Sequence, residues 1–362
     1  MLIGIEAERA NNPIKTGVEH YAKQLILNLV AIDKVNAYIL YLRTQPEAWL
    51  KQLPKNFKLK VMPFPLFWTQ IRISLEMVLH PVDVLFIPAS ALPLFHPKNS
   101  VVAIHDLAWK FYPTSFTWFM RNFLEWSTKF AIGRASRIIA VSESTKRDLL
   151  KFYGVNETKV TVVHHGYEEQ QLMVDNLPVT LKSKLPEKYI LFLSTLQPRK
   201  NLEGLIDAFR LLKKEHPELP HKLVVVGKPG WKFEAILKKI SQNQDSVVYL
   251  NYIADASRQT VLKQSDLLVL PSFYEGFGMQ ILESFAANVP VATSNISSMP
   301  EVAGGAAVYF DPHNILEIKN AIKSILLDKS LAESLKLKGK ARLANFSWQK
   351  CATKTLGVLS QS

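Results

Sequence analysis

The chain alternates between short apolar runs and segments of helical periodicity, and it does so in two separate series. Short apolar runs suit buried strands of a parallel sheet, and helical segments between them suit crossover connections. In the first half the predicted strands are Leu2–Glu6, Tyr38–Leu42, Val84–Pro88, Val101–His105, Ile138–Val141 and Val160–Val163. In the second half they are Tyr189–Ser194, Leu223–Gly227, Val247–Ile253, Leu267–Pro271, Val291–Thr293 and Ala307–Phe310. The pattern predicts two Rossmann-like α/β domains with a cleft between them.

The two series meet in a stretch without periodicity. From Tyr167 to Lys188 the sequence is rich in Glu, Gln, Asp, Asn and Pro, which is typical of a connection between domains. A chain of 362 residues is long enough for two hydrophobic cores. We therefore predict a first domain over 1–170, a linker over 171–188 and a second domain over 189–345.

Charge and cysteine content narrow the classes of partner and compartment. The chain has 44 Lys and Arg against 31 Asp and Glu, a net charge of +13 that favours an anionic partner: nucleic acid, an anionic membrane face or a phosphorylated small molecule. Its single cysteine, Cys351, excludes an intramolecular disulfide and a thiolate zinc site. The first residues do not read as a signal peptide, and no uncharged apolar segment reaches about 18 residues. We expect a cytoplasmic protein.

One strand–turn–helix segment carries the strongest candidate site. Beyond Pro271 the sequence places Gly276 and Gly278 at a turn, where backbone amides can face an anion. Glu275 precedes the predicted helix and Glu283 lies about two turns inside it. At about 100° per residue the two side chains end roughly 80° apart, so both carboxylates are expected to face the same end of the cleft. The alternative is an acidic first turn plus one solvated glutamate.

A basic pair follows the first predicted strand of the second half. Arg199 and Lys200 lie shortly after Ser194, and an adjacent Arg and Lys suit a pair of phosphates, one as a bidentate fork and the other as a compact charge. The alternative is a solvated basic turn. Because ligands of open α/β sheets bind at the carboxyl ends of strands, two anion-binding features there favour a phosphate site.

These motifs resemble those of the family 4 glycosyltransferases, retaining enzymes of the GT-B architecture. The family has two glutamates separated by seven residues around a Gly-Phe-Gly turn, here Glu275 and Glu283, and an Arg-Lys-Asn sequence, here Arg199-Lys200-Asn201. The similarity runs from the Gly17 loop to the Phe-Ser-Trp before the last helix. It implies two facing Rossmann-like domains, with residues 346–362 forming a helix that packs back on the first. The family usually has proline where this chain has Gln280. Because that proline would only favour the first turn of a helix, its absence has little bearing on the resemblance.

The resemblance also assigns roles in a donor site. It implies that Arg199 and Lys200 hold the diphosphate and neutralise the leaving group, that Glu283 binds the ribose hydroxyls, and that Glu275 contacts the transferred sugar. Fixed cations and amides at this place stabilise the charge of the transition state more than that of the ground state. Further donor-binding residues are expected in the turn and near the base: Gly276, Phe277, Gly278, Met279, Gly227 and Ile253. No metal and no cofactor besides the donor are expected.

The first half adds weaker candidates. Gly17 resembles the family's glycine loop that approaches the diphosphate, and the alternative is a simple helix start. His105, in a His-Asp-Leu sequence, resembles a histidine that approaches the transferred sugar, where it donates a hydrogen bond to a hydroxyl or helps to place the acceptor. We therefore take Glu275, His105, Arg199 and Lys200 as the catalytic candidates. The adjacent pair His164–His165 is interpreted as a structural turn.

Two stretches of the first half combine aromatic rings with cations, and they suggest a membrane surface. They are Met62–Arg72 and Trp109–Trp126, and rings beside Lys and Arg suit a lipid headgroup region. The alternative is that most of these rings belong to the core. Docking on an anionic inner leaflet and a lipid-linked acceptor are both compatible with the family.

The resulting hypothesis is a metal-independent hexosyltransferase that takes its sugar from a nucleotide sugar and gives it to a glycan or a lipid-linked acceptor. The closest resemblance is to bacterial mannosyltransferases or related hexosyltransferases of surface polysaccharides, so GDP-mannose is the favoured donor. A nucleotide-sugar epimerase of the same fold and a basic nucleic-acid-binding protein are the alternatives. Nucleic acid is disfavoured because the basic pair is associated with a predicted cleft that bears glutamates, not with a platform of stacking aromatic rings. A dehydrogenase has little support, because no Gly-x-Gly-x-x-Gly follows either first strand.

Overall fold

The computed structural model describes residues 1–13, 17–167 and 177–361, which form two compact units. The first unit consists of Met1–Trp109, Thr117–Gly166 and Phe346–Ser362. The second consists of Lys110–Phe116 and Tyr167–Asn345. Lys110–Phe116 therefore groups with the second unit, although the residues on either side of it belong to the first.

The first unit is built on a seven-stranded parallel sheet with the strand order β3-β2-β1-β4-β5-β6-β7. Its strands are β1 Leu2–Glu6, β2 Ala37–Leu42, β3 Phe57–Val61, β4 Val84–Ile87, β5 Ser100–Ile104, β6 Arg137–Ala140 and β7 Val160–Val162. Its helices are α1 Glu8–Asn11, α2 Gly17–Ile32, α3 Ser74–Leu79, α4 Ala108–Phe111 (which continues into the second unit), α5 Trp118–Arg134 and α6 Glu143–Tyr153. A π-helical turn, Thr69–Ile73, leads into α3.

The second unit is built on a six-stranded parallel sheet with the order β10-β9-β8-β11-β12-β13. Its strands are β8 Tyr189–Leu193, β9 Lys222–Val226, β10 Val247–Tyr249, β11 Leu267–Leu270, β12 Val291–Ser294 and β13 Ala307–Phe310. Its helices are α7 Val179–Lys182, α8 Leu202–Glu215, α9 Glu234–Ser241, α10 Asp255–Lys263, α11 Met279–Ala286, α12 Met299–Ala303, α13 Ile315–Leu327 and α14 Lys329–Leu343. The apolar faces of α8 and α13 are buried in a core with β8, β9 and β11.

The last helix, α15 (Trp348–Ser360), belongs to the first unit and packs against α2. The segment that follows β7 approaches the start of α15 closely at Gly166. A Cβ atom at this glycine would lie 2.0 Å from the backbone nitrogen of Trp348 and 2.3 Å from the carbonyl carbon of Ser347. Only glycine fits there without displacing backbone.

The predicted alternation of strands and helices is confirmed, with two differences. Strand β3 was not predicted because its sequence, Phe-Lys-Leu-Lys-Val, alternates apolar and basic residues instead of forming an apolar run, as suits an edge strand. The predicted strand Val247–Ile253 ends early, at Tyr249. Asn251 has a positive φ of 59°, and its side-chain oxygen accepts from the Tyr252 amide at 2.8 Å, so the chain turns away from the sheet.

Candidate active site

The sheet order of the second unit brings together two loops that are far apart in sequence. Strands β8 and β11 pair in parallel at the point where the strand order reverses, with Leu267 opposite Ile190. Loops that leave the carboxyl ends of two such strands are adjacent, and this is where open α/β sheets bind ligands. The loop after β8 carries Arg199 and Lys200, and the loop after β11 carries Glu275.

Lys200 and Glu275 form a buried ion pair at this place. The Lys200 Nζ donates to Glu275 Oε1 at 2.5 Å, and Arg199 Nη1 lies 3.5 Å from Glu275 Oε2. The hydroxyl of Ser272 donates to the same Oε1 at 2.7 Å. Burial by itself raises the pKa of Glu275, but the charges of Lys200 and Arg199 and these hydrogen bonds outweigh it and lower the pKa. Glu275 is therefore an ionised carboxylate between two cations.

The backbone of the two loops is joined as well. The Phe273 amide donates to the Arg199 carbonyl at 2.9 Å, and Arg199 Nη1 donates to the Tyr274 carbonyl at 2.9 Å. Arg199 Nε donates to Gln197 Oε1 at 3.2 Å. Both hydrogen bonds of the guanidinium thus run through Nε and Nη1, which fixes its plane beside Glu275.

Two serines that follow β12 hold the backbone of Glu275. The hydroxyls of Ser297 and Ser298 donate to the Glu275 carbonyl at 2.5 and 2.9 Å, and the Glu275 amide donates to the Ser297 oxygen at 3.2 Å. Ser297 itself has a positive φ of 58°. Glu275 is therefore held through its main chain and its carboxylate together.

Asn201 ends the basic loop in a left-handed conformation with φ 54°, immediately before α8 begins at Leu202. Its buried amide donates to the Pro312 carbonyl at 2.8 Å. A Cβ at Gly204 would lie 2.5 Å from the Asn201 side-chain oxygen, so the glycine makes room for this side chain. The Arg-Lys-Asn sequence is thus anchored to the loop after β13.

The glycine turn has the backbone that the sequence predicted. Gly276 and Phe277 are buried, and Gly278 has φ 93° and ψ 53°, a left-handed conformation that disfavours side chains. Helix α11 begins at Met279, so the first amides of the helix lie directly after the turn. The donor-binding candidates Phe277, Gly278 and Met279 are therefore at a helix N-terminus.

Glu283 has a different partner from Glu275. Its Oε2 accepts from Arg258 Nη1, on α10, at 2.6 Å. The predicted angle between the two glutamates assumed helical geometry over the whole interval, but Glu275 lies outside α11, which begins at Met279, so that estimate does not apply. The structure joins Glu275 to Arg199 and Lys200, whereas Glu283 pairs with Arg258.

The residues expected near the base lie at the ends of β9 and β10. The Gly227 amide donates to the Asn251 carbonyl at 3.0 Å, and the Tyr249 hydroxyl donates to the Gly227 carbonyl at 3.0 Å. A Cβ at Gly227 would lie 1.8 Å from the Ser194 carbonyl oxygen, so the glycine is required by the close approach of the loop after β8. Ile253 is buried after the turn at Asn251, outside the strand.

Two further candidates, Gly17 and His105, belong to the first unit. Gly17 is the first residue of α2, and a Cβ there would meet nothing within 4 Å. The preceding Thr16 lies outside the described residues. His105 follows β5, and its Nε2 lies 2.9 Å from the Pro88 carbonyl oxygen.

The hydrogen bond of His105 fixes its tautomer. A carbonyl only accepts, so Nε2 carries the proton. Burial lowers the pKa of His105 against the opposing effects of the Pro88 carbonyl and Asp106, which favours the neutral ring. The Nδ1 atom is then an acceptor, whereas the sequence analysis expected His105 to donate a hydrogen bond.

His105 belongs to a cluster of rings inside the first unit. Its ring lies edge-on to Tyr21 at 4.8 Å, and Tyr21 stacks on His165 at 4.9 Å. His165 also stacks on Trp348 of α15 at 5.9 Å. His165 is thus a core residue that connects α2, the end of β7 and α15, in agreement with its interpretation as structural.

The His165 ring should make the protein less stable in mild acid. Burial, and then the neighbouring His105, His20 and His164, hold its pKa well below 6.5. The unfolded chain therefore binds more protons than the native protein below about pH 6.5. In this range the free energy of unfolding decreases as the pH is lowered. Between pH 7 and pH 5 this proton accounts for about 2 kcal/mol.

The variant His165→Phe keeps a ring in the cluster and removes the proton site. Urea unfolding at pH 7 and pH 5 should show that the variant loses about 2 kcal/mol less than the wild type over this interval. Equal losses in both proteins would show that His165 takes up its proton equally well in the folded and the unfolded chain, and that burial does not lower its pKa.

Several residues at the site were not found from the sequence. Arg258 is one basic residue among many on helices, and nothing in its own sequence context connects it to Glu283. Ser297 and Ser298 follow β12, whose carboxyl end is at the same edge of the sheet as those of β8 and β11, so their position after a strand was a usable signal. Phe111 and Tyr112 reach Tyr274 and Phe273 from another part of the chain.

Neither a metal-binding group of side chains nor a membrane-spanning helix is found among the described residues. Over residues 1–13, 17–167 and 177–361, no group of three or more His, Cys, Asp or Glu side chains is arranged to hold a metal ion. Metal independence stays a prediction. No helix within the same ranges is long and apolar enough to cross a bilayer.

Two family models match adjacent parts of the chain. The model of Glycosyltransferase Family 4 matches residues 15–171, and that of Glycosyl transferases group 1 matches residues 174–342. Together they cover every strand of the two sheets except β1, and they include Arg199, Lys200, Glu275 and Glu283.

The similar curated proteins and solved structures also include glycosyltransferases. The O-antigen chain mannosyltransferase B of Escherichia coli is 28% identical over 74% of this chain and 66% of its own length. The O-antigen chain mannosyltransferase RfbU of Salmonella typhimurium is 24% identical over 63% of this chain and 61% of its own length, so the matches span less than two thirds of either relative. The crystal structure of Anabaena HepE in complex with UDP has a TM-score of 0.71 at 16% identity, covering 100% of this chain and 99% of HepE. That of WaaG, a glycosyltransferase involved in lipopolysaccharide biosynthesis, has a TM-score of 0.73 at 15% identity over 100% of both chains, which supports the GT-B fold.

Proposed function

Because the chain belongs to the family 4 glycosyltransferases, we propose that it moves a hexose, with mannose as the first candidate, from a nucleoside diphosphate sugar to a glycan acceptor with retention of configuration. The observation that carries this proposal is the buried cluster of Arg199, Lys200 and Glu275 beside the start of α11. Mannose is proposed because the relatives named above are mannosyltransferases.

The charges of the cluster suit a diphosphate. Two cations share one carboxylate, so the group has an excess of positive charge in a partly desolvated place, where electrostatic interactions are strong. The hydrogen bonds of Arg199 use Nε and Nη1, and its Nη2 is the group that a phosphate oxygen would take. The leaving phosphate gains negative charge as the glycosidic bond breaks, and fixed cations stabilise that charge.

Besides pairing with the two cations, Glu275 would bind the transferred sugar. Its carboxylate accepts from Lys200 and Ser272 through Oε1, which leaves Oε2 beside Arg199. A hydroxyl of the transferred sugar would donate to this carboxylate, as the family resemblance implies. His105 is a separate candidate: as an acceptor through Nδ1, it would receive a hydrogen bond from a sugar hydroxyl.

Nucleotide sugars of different base and sugar test the donor. We expect GDP-mannose to raise the melting temperature by several degrees at a concentration of about 100 Kd, since binding to the native state adds about 2.7 kcal/mol. UDP-glucose at the same concentration is the comparison, because HepE has been crystallised in complex with it. Equal shifts would refute the preference for mannose, and no shift with any nucleotide sugar would refute the proposed donor class.

The product distinguishes transfer from the alternative epimerase. With a mannose-containing oligosaccharide as acceptor, we expect a longer oligosaccharide whose new anomeric centre, read by NMR, has the configuration of the donor. An altered nucleotide sugar formed without acceptor would favour the epimerase. An inverted product would contradict retention.

We also propose that the first unit docks on an anionic membrane through an exposed apolar face. One part of this face lies on the π turn and α3, where Ile71, Leu75, Val78 and Leu79 are exposed at helical spacing. The others are Leu94 and Phe95 in a loop and Trp118, Phe119 and Trp126 on α5. Rings of this size at the surface of one unit are characteristic of an interaction site.

Contacts inside the unit show that these parts are adjacent. The Phe95 amide donates to the Ser74 hydroxyl of α3 at 3.1 Å. The neighbouring His96 ring lies 6.5 Å from Phe130 of α5, and Phe130 stacks on Trp126 at 5.9 Å. By contrast, Trp68 and Trp109, from the same two aromatic stretches, are buried and belong to the core.

The charge of the unit favours an anionic surface. Its segments contain 21 Lys and Arg against 12 Asp and Glu, a larger excess than in the second unit. Lys129 and Arg134 are exposed on α5, together with Trp126. Rings that enter the headgroup region beside such cations bind anionic bilayers most strongly at low salt.

Vesicle sedimentation tests this surface. We expect binding to vesicles with anionic lipid that weakens as salt rises, and loss of most binding in the variant Trp118→Ser, Phe119→Ser, Trp126→Ser. The control Leu337→Ser removes an exposed apolar side chain of α14 in the second unit and should bind as the wild type does. Sedimentation independent of anionic lipid, or unchanged in the triple variant, would contradict the proposal.

A further inference from the structure

The segment Lys110–Phe116, here called the aromatic arm, packs in the second unit although Trp109 and Thr117 belong to the first. It comprises the end of α4 and a 3₁₀ turn, Pro113–Ser115. The Asp106 carboxylate accepts from the Ala108 amide at 3.1 Å, so α4 starts from the sequence that contains His105. Pro113 and the hydrogen bond from the Ser115 amide to the Tyr112 carbonyl, at 2.9 Å, fix the turn.

Two rings of the arm stack on the two residues that precede Glu275. The Phe111 ring lies 4.7 Å from that of Tyr274, with an angle of 26° between the planes. The Tyr112 ring lies 5.7 Å from that of Phe273, with an angle of 22°, and its hydroxyl is 3.4 Å from the Phe273 carbonyl oxygen. Consecutive residues of the arm thus match consecutive residues of the loop.

The two loop residues that these rings contact, Phe273 and Tyr274, form hydrogen bonds with Arg199. Tyr274 offers its carbonyl to the Arg199 guanidinium, and Phe273 donates its amide to the Arg199 carbonyl. A displacement of either ring therefore moves a direct partner of Arg199 and the peptide that leads to Glu275.

The stack extends to a third loop. Phe273 also stacks on His313 at 4.6 Å, so its ring is in contact with Tyr112 and with His313. His313 follows Pro312, whose carbonyl accepts from Asn201. The arm is thus connected to both ends of the Arg199–Asn201 turn, through Phe273 at one end and through His313 and Pro312 at the other.

We propose that Phe111 and Tyr112 are positioning residues for the active site, which keep Glu275 and Arg199 in place by clamping Phe273 and Tyr274. This inference rests on the proposed function for its catalytic consequence. The ring contacts of the arm are with Phe273 and Tyr274, so the rings act on the site through the backbone of these two residues. A displacement of about 1 Å at a charged group is enough to slow a reaction strongly.

Kinetics and hydrogen exchange of two arm variants test the proposal. The variant Phe111→Ala, Tyr112→Ala removes both rings, and Phe111→Tyr, Tyr112→Phe keeps both rings while exchanging the hydroxyl. Leu337→Ala, in an exposed part of α14, is the control for a general loss of apolar surface. Each is assayed for donor hydrolysis, for melting temperature and for amide exchange of residues 272–278.

We expect the alanine pair to lower kcat/KM roughly tenfold to a hundredfold. We also expect faster exchange of the Phe273 and Glu275 amides, while the melting temperature stays within a few degrees of the wild type. The ring-exchanged variant should lie within about twofold of the wild type, and the control should match it.

Unchanged kcat/KM in a folded alanine pair, or unchanged exchange at Phe273 and Glu275, would overturn the proposal. A loss of rate in Leu337→Ala of the same size would also overturn it. If the wild type turns over no nucleotide sugar, the proposed function fails, and the exchange measurement alone still decides whether the arm holds the loop.

Discussion

Replacing Lys200 by methionine should lower kcat/KM for sugar transfer by about two to three orders of magnitude. Methionine keeps the length and apolar stem of the side chain, so the change removes one of two cations at the place where the leaving phosphate gains charge. Of its two cationic partners Glu275 would keep only the more distant one, Arg199, at 3.5 Å. Steady-state kinetics with the preferred donor measure the effect.

A second variant separates the stability of this pair from its function. Lys200→Met and Glu275→Gln should each lower the free energy of unfolding by about 3 kcal/mol, because each leaves a buried charge without its main partner. The double variant should be more stable than either single one, since Lys200 and Glu275 are then both replaced by neutral side chains and only the less buried Arg199 has lost a partner. Activity should stay low in all three proteins.

An ion pair of the same chemistry serves as a control. Lys239 lies 2.5 Å from Asp207 on the second unit, but both side chains are partly exposed. Lys239→Met should cost less than about 1 kcal/mol and leave kcat/KM unchanged. Wild-type kcat/KM in Lys200→Met would refute the role of this lysine in binding the diphosphate.

Gly166→Ala should lower the free energy of unfolding by about 3 kcal/mol, a large effect for the addition of one methyl group. The new Cβ would lie 2.0 Å from the Trp348 nitrogen and 2.3 Å from the Ser347 carbonyl carbon, and both atoms are backbone. Relief of this clash requires the start of α15 to move away from the end of β7. Urea unfolding of the first unit, followed by the fluorescence of Trp348 and its neighbours, measures the change.

A glycine on the same helix provides the comparison. A Cβ at Gly357, on the exposed side of α15, would meet nothing within 4 Å. Gly357→Ala should therefore stabilise the protein by about 0.5 to 1 kcal/mol, as expected for a helical position. If Gly166→Ala is as stable as Gly357→Ala, the close approach of the two segments is not a constraint.

The fold was predictable because its signal is local. A run such as Tyr189–Leu193 is apolar at all five positions, and a strand buried on both faces requires this. Phe57–Val61 was missed because an edge strand relaxes that requirement and admits lysines at alternate positions.

The candidate site was predictable where its residues follow strands. Arg199, Lys200 and Glu275 each come shortly after a predicted strand, and the pairing of β8 with β11 brings them into contact. The partners of these residues were not predictable in the same way. Arg258 contacts Glu283 from a different helix, and Phe111 contacts Tyr274 from the other half of the chain. The periodicity of the sequence predicts neither contact.

The return of α15 to α2 has a consequence for how this protein is made. The ribosome releases the strands of the first unit early, but residues 346–361 emerge only after all of the second unit's sequence. Until then the surface of α2 that α15 covers, around Tyr21, stays open to water. A nascent chain therefore carries an unfinished first unit through most of its synthesis, and a chain that stops before Phe346 leaves that surface to chaperones or to aggregation.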